Sequence, residues 1–535
     1  MDLPCSEMAA ARLAAFRLVE AVQGGDTGDA LATQLATAER HGWEGVLRVL
    51  LYAHAVRAEL AGDGSLEAAI DRLHQHAARG GDRAMRAAAL AYRAEHRFRS
   101  ESAGVQQDGE ADLALATALL TRAQEGALER ALAYVGCALA YSQRELWELE
   151  EEMYTEASAL LPFCEEPVTD RVVLFNRVDT LLSMACSLRE LGDTDALEVL
   201  LPRGMAAVHA ALSGSVPEAW WLDARVARHL LAAVGDRPTD EDASTLRAEL
   251  VAVSRPRSHW AHGFLWLADA ARAANRREWS AAATAAECAL ELFDEVAPPP
   301  VVALALRLAA EAEAEATLGS AQASRTLAYA EHSARRQRDS RLRTLSAARV
   351  RVQAEQLRIE RDHHAREAMV DELTGLANRR AHARFVEAHS RSRVPRRLAV
   401  LIVDIDHFKA VNDRYGHPVG DAVLMRVAEV LGRDVRAVDL AARLGGDEFV
   451  VLLDDVDETV ARRRGRSILT QVEREPWESV SPGLRVSVSI GIAAGDGGES
   501  EALLEEADRA LYVAKASGRD AVTSAPLAFA GGSLA

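Results

Sequence analysis

Lysine is nearly absent from this chain of 535 residues. Of its 62 basic side chains, 60 are arginine, and the two lysines are Lys409 and Lys515. Cysteine is scarce as well: the five cysteines are widely spaced and include no CxxC pair, so neither a zinc site nor a disulfide framework is indicated. No apolar run approaches the roughly 18 residues that a membrane span needs, and the first residues lack the basic-then-apolar pattern of a secretory signal. We therefore expect a cytoplasmic protein without a membrane span.

The net charge of −19 is unevenly distributed. Residues 1–330 carry 49 acidic and 30 basic side chains, whereas residues 331–370 carry 6 and 10, and residues 371–535 carry 26 and 22. An acidic protein repels the phosphate backbone, so nucleic acid is not an expected partner. The nearly neutral last third remains able to take a polyphosphate with the help of a divalent cation.

Residues 1–325 are rich in alanine, leucine, arginine and glutamate, with apolar residues at helical spacing. The segments between strong breaks are about 35–45 residues long, which is the length of a two-helix repeat. Two inter-helix turns, ELAGDGSLEAA (59–69) and ELGDTDALEVL (190–200), are similar to each other. The region resembles an all-α solenoid of tetratricopeptide (TPR) type, and a generic helical array is the alternative. Such a stack offers a groove to a peptide or partner helix, or it only spaces or dimerises the rest of the chain; the sequence does not identify the ligand.

Residues 326–369 contain neither proline nor glycine and read as one long helix. Leu345, Val352 and Ile359 recur every seven residues, and Val350 and Leu357 form a second pair at the same interval. The repeat indicates about two heptads of a coiled-coil seam. We interpret the segment as a signalling helix that pairs with its copy in a dimer; an unpaired, solvated helix is the alternative.

After residue 370 the pattern changes to short β-rich runs at 398–405, 448–453 and 485–493. Helical stretches lie between and after them, at 420–433, 457–473 and 501–516. Strands that alternate with helices predict an α/β (α+β) sheet domain over residues 370–525. The remaining residues 526–535 are expected to be a flexible tail.

Acidic residues follow the first of these strands and precede the second. Asp404 and Asp406 end an apolar strand, and alternation along the strand sends both side chains to the same side. A carboxylate at this position, joined by a backbone carbonyl, is hard-oxygen chemistry that suits Mg²⁺. In ARLGGDEFVVLL (442–453), paired glycines allow a tight hairpin whose tip projects Asp447 and Glu448 toward the neighbouring strand.

Five motifs occur in a fixed order that resembles the GGDEF-domain diguanylate cyclases, which condense two GTP molecules into cyclic di-GMP, a bacterial second messenger. The motifs are DELTGLANRR (371–380), DIDHFKAVNDRYGHPVGD (404–421), RAVDLAARLGGDEF (436–449), SVSIGIA (487–493) and ADRALYVAKASGRD (507–520). The resemblance implies a five-stranded, mainly antiparallel sheet with flanking helices, related to the nucleotide cyclases and the polymerase palm. It also implies a homodimer, because each domain binds one GTP.

The resemblance assigns roles to individual residues. Two Mg²⁺ or Mn²⁺ ions are expected on Asp404, the backbone carbonyl of Ile405, Asp447 and Glu448. Asp447 is also the expected base for the 3′-hydroxyl, and Lys409 stabilises the transition state. The resemblance implies that the remaining residues contact GTP: Phe408, Asn412, His417, Asp421, Gly445, Gly446, Lys515 and Arg519. Asn412 and Asp421 match guanine-binding positions, and Lys515 and Arg519 match phosphate-binding positions.

The positions of the two lysines support these assignments independently. Both lie in motifs that the resemblance assigns to phosphate. An ammonium is a compact charge on a flexible stem, whereas guanidinium is a broad planar fork. A chance placement of both lysines in two such short motifs is improbable in a chain that otherwise uses arginine.

Arg436 and Asp439 form an RxxD pair, and five residues lie between Asp439 and Gly445. In the family this is an inhibitory site, where cyclic di-GMP binds as product and inhibitor; a surface ion pair is the alternative. Two other functions stay open at this point. The domain can bind GTP or cyclic di-GMP as an effector without turnover, or the chain can act as a protein-interaction scaffold.

Overall fold

The structure is a computed structural model that describes residues 5–524 with short gaps. The residues left out within that range are 24–29, 63, 101, 165–166, 214–217, 253–257, 294–296, 317–320, 392–395, 434 and 437. The tail expected at 526–535 lies outside the described residues. The chain divides into two compact units, residues 1–359 and residues 360–535.

The first unit begins with eight helices that share one hydrophobic core. They are α1 (Cys5–Gln23), α2 (Ala30–His41), α3 (Glu44–Ala61), α4 (Leu66–Arg79), α5 (Arg83–Phe98), α6 (Ala103–Leu120), α7 (Ala127–Ser142) and α8 (Trp147–Leu160). The fully buried side chains of this core include Leu50, Met85 and Tyr154. Asp82 illustrates how a helix start is determined, because its carboxylate accepts a hydrogen bond from the Met85 N–H and so caps α5.

Seven further helices follow in the same unit, and six of them share a second hydrophobic core. They are α9 (Pro167–Leu191), α10 (Thr194–Ser213), α11 (Glu218–Val234), α12 (Ala243–Ala252), α13 (Ser258–Asn275), α14 (Trp279–Leu292) and α15 (Pro299–Ala316). Leu181, Leu230 and Leu308 lie in this core, whereas α12 packs with α11 and α13 in a smaller cluster. From α2 to α15, helices that are neighbours in sequence pack against each other, and so do α1 with α3, α5 with α7, α11 with α13 and α13 with α15. This is the packing of stacked helical hairpins, and the TPR-like classification itself stays a prediction.

The long helix expected at 326–369 is present as α16 (Ala321–Glu367). Leu345 is 8% exposed and lies in the first core, and Ile359 packs against that core. The first heptad seam is therefore turned toward the chain's own helices. Val350 and Leu357, the second pair, are 63% and 58% exposed. The pairing of α16 with a second copy stays a prediction.

The second unit is built around a mixed sheet with helices on its faces. Its strands are β1 (Ala377–Asn378), β2 (Arg397–Ile405), β3 (Leu440–Gly445), β4 (Glu448–Asp454), β5 (Val488–Asp496) and β6 (Val522–Ser524). Its helices are α17 (Arg379–Ser390), α18 (Phe408–Tyr415), α19 (His417–Arg433), α20 (Glu458–Arg474) and α21 (Ser500–Ala516). Three short 3₁₀ helices complete the described elements, one in the first unit (Leu161–Phe163) and two in the second (Trp477–Ser479 and Gly497–Glu499).

The sheet has six strands in the order β1-β3-β4-β2-β5-β6, so the expected count of five is wrong. The inner pairings β3–β4, β4–β2 and β2–β5 are antiparallel, whereas the two edge strands β1 and β6 pair in parallel. These edge strands are two and three residues long. Strands that short show no alternation in the sequence, which explains the miscount. The run expected at 485–493 begins later, at Val488.

No helix among the described residues is long and apolar enough to cross a membrane.

Candidate active site

Two of the expected metal carboxylates face each other across neighbouring strands. Asp404 in β2 is paired in register with Glu448 in β4, and the Ile405 N–H donates to the Asp447 carbonyl at 3.3 Å. Directly opposed residues of an antiparallel pair project their side chains to the same face of the sheet. Asp404 is 7% exposed, while Glu448 is exposed. The strand pairing alone therefore brings two acids together that are 44 positions apart in the sequence.

A lysine reaches the same place from α21. Lys515 Nζ lies 2.7 Å from Asp404 Oδ2. Helix α21 comes this close because β5 carries Gly491 beneath it: a Cβ there would lie 2.1 Å from the Ala507 carbonyl oxygen and 2.2 Å from the Leu511 nitrogen. The glycine of the SVSIGIA motif thus positions the helix that delivers Lys515.

The hairpin between β3 and β4 presents Asp447. Gly445 and Gly446 both have positive φ, 152° and 56°, which a residue with a Cβ adopts only with strain. Arg443 fixes the turn to the rest of the unit. Its Nε donates to the Gly446 carbonyl at 3.0 Å, and its guanidinium donates to Asp371 at 3.1 Å. Asp371 belongs to the first of the five motifs, which therefore buttresses the hairpin.

Negative charge accumulates at this edge of the sheet. Burial raises the pKa of Asp404, the charges of Asp447 and Glu448 raise it further, and Lys515 partly opposes them. Several carboxylates around one lysine, beside the exposed end of a strand, form a donor set whose chemistry fits a hard divalent cation. In the described part of the chain, however, no three His, Cys, Asp or Glu side chains are already clustered as ligands. As the site stands, Lys515 holds the Asp404 carboxylate.

The expected guanine-binding residues converge around Gly420. A Cβ at Gly420 would lie 1.9 Å from Asn412 Oδ1 and 3.4 Å from the ring of Phe408, so α18 and α19 meet through this glycine. Asp421 follows directly in α19 and is exposed. His417 is the exposed first residue of α19. Asn412, Phe408 and Asp421 are therefore close in space, although Asn412 and Asp421 are nine positions apart in the sequence.

Asp406 has a role that the sequence did not indicate. Its carboxylate, 6% exposed, accepts hydrogen bonds from the Ser487 and Ser489 hydroxyls, each at 2.7 Å, and from the Asp520 N–H at 3.0 Å. The side chain is thus committed to hydrogen bonds and does not join Asp404 as a second ligand. It ties the end of β2 to β5 and to the loop after α21. The two serines of SVSIGIA, two positions apart, are the sequence signal that could have indicated this role of Asp406.

The same loop presents the second phosphate candidate. Arg519 has φ of 67°, a left-handed conformation, and its N–H donates to the Ala514 carbonyl at 3.2 Å. The side chain is exposed. Since Asp406 binds the next backbone N–H, that of Asp520, it fixes the backbone from which Arg519 extends.

Lys409 differs from Lys515 in its surroundings. It lies in the first turn of α18 and is exposed. Within the described residues, no carboxylate is paired with Lys409 in a salt bridge, whereas Lys515 is paired. Lys409 follows His407, whose φ of 55° marks the sharp change of direction from β2 into α18.

The RxxD pair forms a turn rather than a side-chain ion pair. Asp439 is 9% exposed, and its carboxylate accepts from the Arg436 N–H at 3.1 Å and from the Asp454 N–H at 3.0 Å. The Arg436 side chain is exposed. Asp439 therefore anchors the backbone that holds Arg436 at the surface, which the sequence pattern alone did not distinguish from a surface pair.

Comparison with known proteins places this unit in a family. The family described as "Diguanylate cyclase, GGDEF domain" matches residues 368–521. Response regulator PleD of Caulobacter vibrioides is 41% identical over 193 residues, which are 33% of this chain and 41% of PleD. Diguanylate cyclase DgcP of Pseudomonas aeruginosa is 40% identical over 156 residues, which are 29% of this chain and 23% of DgcP. The chain thus spans less than half the length of these relatives.

Among solved structures, the coiled coil and GGDEF domain of DgcB from Caulobacter crescentus in complex with c-di-GMP is 32% identical. The match covers 35% of this chain and 98% of the DgcB chain, with a TM-score of 0.30. The family match ends close to where the sheet ends, and it includes every site residue described above. Through residues 368–521, this chain belongs to the GGDEF-domain family of diguanylate cyclases.

Proposed function

We propose that the protein is a diguanylate cyclase that condenses two GTP molecules into cyclic di-GMP and two pyrophosphates. The observation that carries the proposal is the juxtaposition of Asp404, Glu448 and Lys515 beside the Gly445–Gly446 turn. Carboxylates and a mobile cation at the open edge of a sheet suit a metal–triphosphate ligand. Relatives named diguanylate cyclase, such as DgcP, support the same reaction.

The chain's own residues have distinct tasks in this reaction. Asp447 accepts the proton of the 3′-hydroxyl, which then attacks the α-phosphate of the GTP held by the opposite domain. Two phosphodiester bonds form and two pyrophosphates leave. Lys515, Arg519 and Lys409 neutralise phosphate charge as the pyrophosphate departs.

Divalent metal is part of the proposal. Asp404, the Ile405 carbonyl, Asp447 and Glu448 are the groups that would hold two Mg²⁺ or Mn²⁺ ions. When bound, such ions polarise the phosphoryl oxygens and stabilise the leaving pyrophosphate. Binding requires that Lys515 release Asp404, and the flexible single-point contact of a lysine permits this exchange more readily than an arginine fork.

Guanine specificity is assigned to the cluster around Gly420. A carboxylate at Asp421 accepts hydrogen bonds from the N1–H and 2-amino group of guanine, a donor pair that adenine lacks. Asn412 and Phe408 line the same place. We therefore expect GTP to be used in preference to ATP.

The test is incubation of the full chain with GTP and Mg²⁺, followed by detection of cyclic di-GMP by mass spectrometry. Asp447→Asn is expected to reduce product by about 1,000-fold, the scale of losing a group that acts on the reacting atoms. Asp508→Asn, an exposed aspartate of α21, is the matched control and should retain activity. Absence of product from the unaltered chain, or retention by Asp447→Asn, contradicts the proposal.

We also propose that the active species is a homodimer in which α16 contributes to pairing and transmits the state of the helical unit. Val350 and Leu357 are exposed on α16 at a seven-residue interval. The other side of α16 is attached to the helical unit: Arg338 pairs with Asp193 at 2.8 Å, and Arg341 pairs with Glu148 at 2.5 Å while lying 4.5 Å from the ring centre of Trp147. A helix that is held on one face by the helical unit and is apolar on another face can couple the state of that unit to dimer pairing.

Sedimentation of the full chain tests the pairing. Val350→Glu with Leu357→Glu should shift the protein toward monomer and reduce cyclase activity at low protein concentration. Val251→Glu, which places the same charge on an exposed site of α12, should leave both unchanged. Full activity of a strict monomer would refute the dimer.

Product inhibition through Arg436 and Asp439 completes the proposal. Arg436→Ala should raise the cyclic di-GMP concentration needed for half-inhibition and leave the initial rate nearly unchanged. Asp439→Ala is less informative, because that carboxylate also anchors the backbone of Asp454.

A further inference from the structure

The loop that follows α21 has a strained backbone. Gly518, Arg519 and Asp520 have φ angles of 115°, 67° and 49°, so three consecutive residues have positive φ. Left-handed backbone costs free energy for a residue that carries a Cβ, because the Cβ comes too close to the following carbonyl oxygen. Such conformations persist where the surrounding structure holds them in place. Arg519, an expected phosphate-binding residue, therefore extends from a segment that needs external support.

Hydrogen bonds hold this loop at three consecutive residues. The Arg519 N–H donates to a carbonyl in the last turn of α21 at 3.2 Å, and the Ala521 carbonyl accepts from an N–H of β5 at 2.9 Å. Asp520, between them, donates its N–H to the Asp406 carboxylate at 3.0 Å. Of these three bonds, only the one to Asp406 involves a side chain. A single substitution at Asp406 can therefore release the loop and leave the other two bonds in place.

The Asp406 carboxylate is itself held in one orientation. It is 6% exposed, and its two oxygens accept from the hydroxyls of Ser489 and Ser487, each at 2.7 Å. The Asp406 N–H also donates to the Ser487 carbonyl at 2.9 Å, so its main chain and side chain are bound to the same segment. A buried polar group whose hydrogen bonds are all made is rigid. Asp406 is thus a fixed point to which the loop is attached.

Asp404 and Asp406 divide the two phosphate-binding cations of this segment between them. Asp404 pairs with Lys515 Nζ at 2.7 Å, and Asp406 holds the backbone next to Arg519. The two acids are two positions apart, roughly 7 Å along an extended strand, and alternation sends both side chains to the same side. The end of β2 therefore contributes to the placement of both cations.

We propose that Asp406 is a positioning residue for phosphate binding, which holds the strained loop in the conformation that directs Arg519 toward the triphosphate of GTP. The inference rests on the proposed cyclase function and adds a residue to it. Asp406 acts through Arg519 and does not itself touch the substrate. Its task requires a hydrogen-bond acceptor at this place rather than a negative charge.

The test is isothermal titration calorimetry of the full chain with inorganic triphosphate and Mg²⁺, which requires no turnover. Arg519→Ala should weaken binding about tenfold, the scale of one lost hydrogen bond to a charged group. Asp406→Ala should weaken it by a similar factor, because the loop is released. The double variant should bind no more weakly than Arg519→Ala alone, since both changes remove the same contact. Losses that multiply to about 100-fold in the double variant overturn the proposal.

Asp406→Asn separates an acceptor from a charge. The Asn amide oxygen can accept from the Asp520 N–H, and the amide nitrogen can donate to a serine hydroxyl. We therefore expect triphosphate affinity within about twofold of that of the unaltered chain. An Asn variant as weak as Asp406→Ala would show that the charge is required, and it would overturn the proposal.

Two buried serines provide a matched pair for the loss of a hydroxyl. Ser489 and Ser500 are both fully buried in this unit, and the Ser500 hydroxyl lies 2.7 Å from that of Ser390. Ser489→Ala removes a bond to Asp406 and should weaken triphosphate binding about two- to threefold. Ser500→Ala should leave the affinity unchanged. Equal losses in both variants would indicate a general effect on the unit and overturn the proposal; urea unfolding of each variant verifies that it is folded.

Formation of cyclic di-GMP, measured in parallel, separates this inference from the proposed function. Coupled losses of triphosphate binding in a chain that makes no cyclic di-GMP contradict the reaction and support the positioning role of Asp406. Product formation together with independent losses supports the reaction and overturns the positioning role. Failure of the unaltered chain to bind triphosphate at millimolar concentration also overturns the positioning role.

Discussion

The two units of this protein use positive charge differently. In the helical unit, arginine forks hold carboxylates through several bonds: Arg93 donates twice to Asp112, with both distances 2.8 Å, and once to Asp71. In the GGDEF unit, the ion pair at the centre of the site is formed by Lys515 through a single contact to Asp404.

The difference follows from what each pair must do. A bidentate arginine pair is rigid and specifies one geometry, which suits helices that must keep their register. A lysine pair can exchange its partner, which suits a carboxylate that must also meet a metal–phosphate ligand. The composition anticipates this division, since lysine is retained at two positions only.

Replacing Lys515 by arginine should have the largest effect on the cyclase rate. An arginine there would hold Asp404 with a fork, so we expect the cyclase rate to fall about 100-fold, equivalent to about 2.7 kcal/mol in the barrier, while the stability is unchanged or increased. Steady-state kinetics and urea unfolding of the same preparation check both. The reverse exchange Arg509→Lys, at an exposed position of α21, is the control and should change neither. An unaltered rate in Lys515→Arg would mean that the partner exchange is not required.

Glu150 tests the helical unit's part of this comparison. It is a buried acid without an arginine partner among the described residues. Burial raises its pKa to about 7, and the hydroxyl of Thr180 lies 2.8 Å from its carboxylate. The same hydroxyl also donates to the Asn176 carbonyl at 2.9 Å, so its one proton is shared between two acceptors and opposes the effect of burial only in part.

The sign of the pH dependence follows. The folded state binds the Glu150 proton more tightly than the unfolded state, so its contribution to stability is present at low pH and is lost as the pH rises from about 4.5 through 7. We expect roughly 2 kcal/mol less unfolding free energy at pH 8 than at pH 5 from this group. Glu150→Gln should remove that difference in urea unfolding followed by circular dichroism. Glu156→Gln, exposed on the same helix, should leave it in place; an identical pH slope in both variants would contradict the assignment.

Arg93→Lys is the mirror image of the change at Lys515. It replaces a fork by a single charge, so we expect a loss of about 1.5 kcal/mol of unfolding free energy in the helical unit with no change in the cyclase rate. Arg335→Lys serves as the control, because its side chain is 70% exposed and pairs with Glu331 only at 3.8 Å. A change in rate without a change in stability would reverse the proposed division of roles.

Lys409→Arg should have the smallest effect. Lys409 is exposed and pairs with no carboxylate among the described residues. An arginine guanidinium at this position would therefore have no described carboxylate to bind in the free enzyme. We expect the rate to fall about tenfold or less, about 1.4 kcal/mol, through poorer placement of charge on the phosphate. Folding should be unaffected. A rate equal to that of the unaltered chain would indicate that the reaction does not require a lysine at position 409.

Much of the GGDEF unit could be read from local sequence signals. The strands found at 397–405 and 448–454 and the helices at 458–474 and 500–516 differ from the expected bounds by one residue. These elements have strong periodicity or apolar runs, and such signals are local. The short edge strands β1 and β6 have neither, because their pairing depends on the strand beside them.

Contacts between distant segments could not be read in the same way. The sequence predicted only that Asp404 and Asp406 project to the same side of the strand, whereas the structure shows that hydrogen bonds to Ser487, Ser489 and Asp520 hold Asp406 to the loop that carries Arg519. Similarly, Leu345 and Ile359 were expected in a seam with a second copy, and they pack against the chain's own core. Heptad spacing indicates that a helix has an apolar stripe and does not identify what covers the stripe.

The sequence by itself determined the helical character of the first unit, the family of the second and the identity of the residues that carry charge to the site. These follow from periodicity, motif order and residue chemistry, which are properties of short segments. Only the tertiary structure decided that Lys515 holds Asp404 and that the Asp439 carboxylate accepts from the Asp454 N–H, which ties the start of β3 to the end of β4. Each of these depends on backbone packing between segments distant in the sequence, and no single segment contains that information.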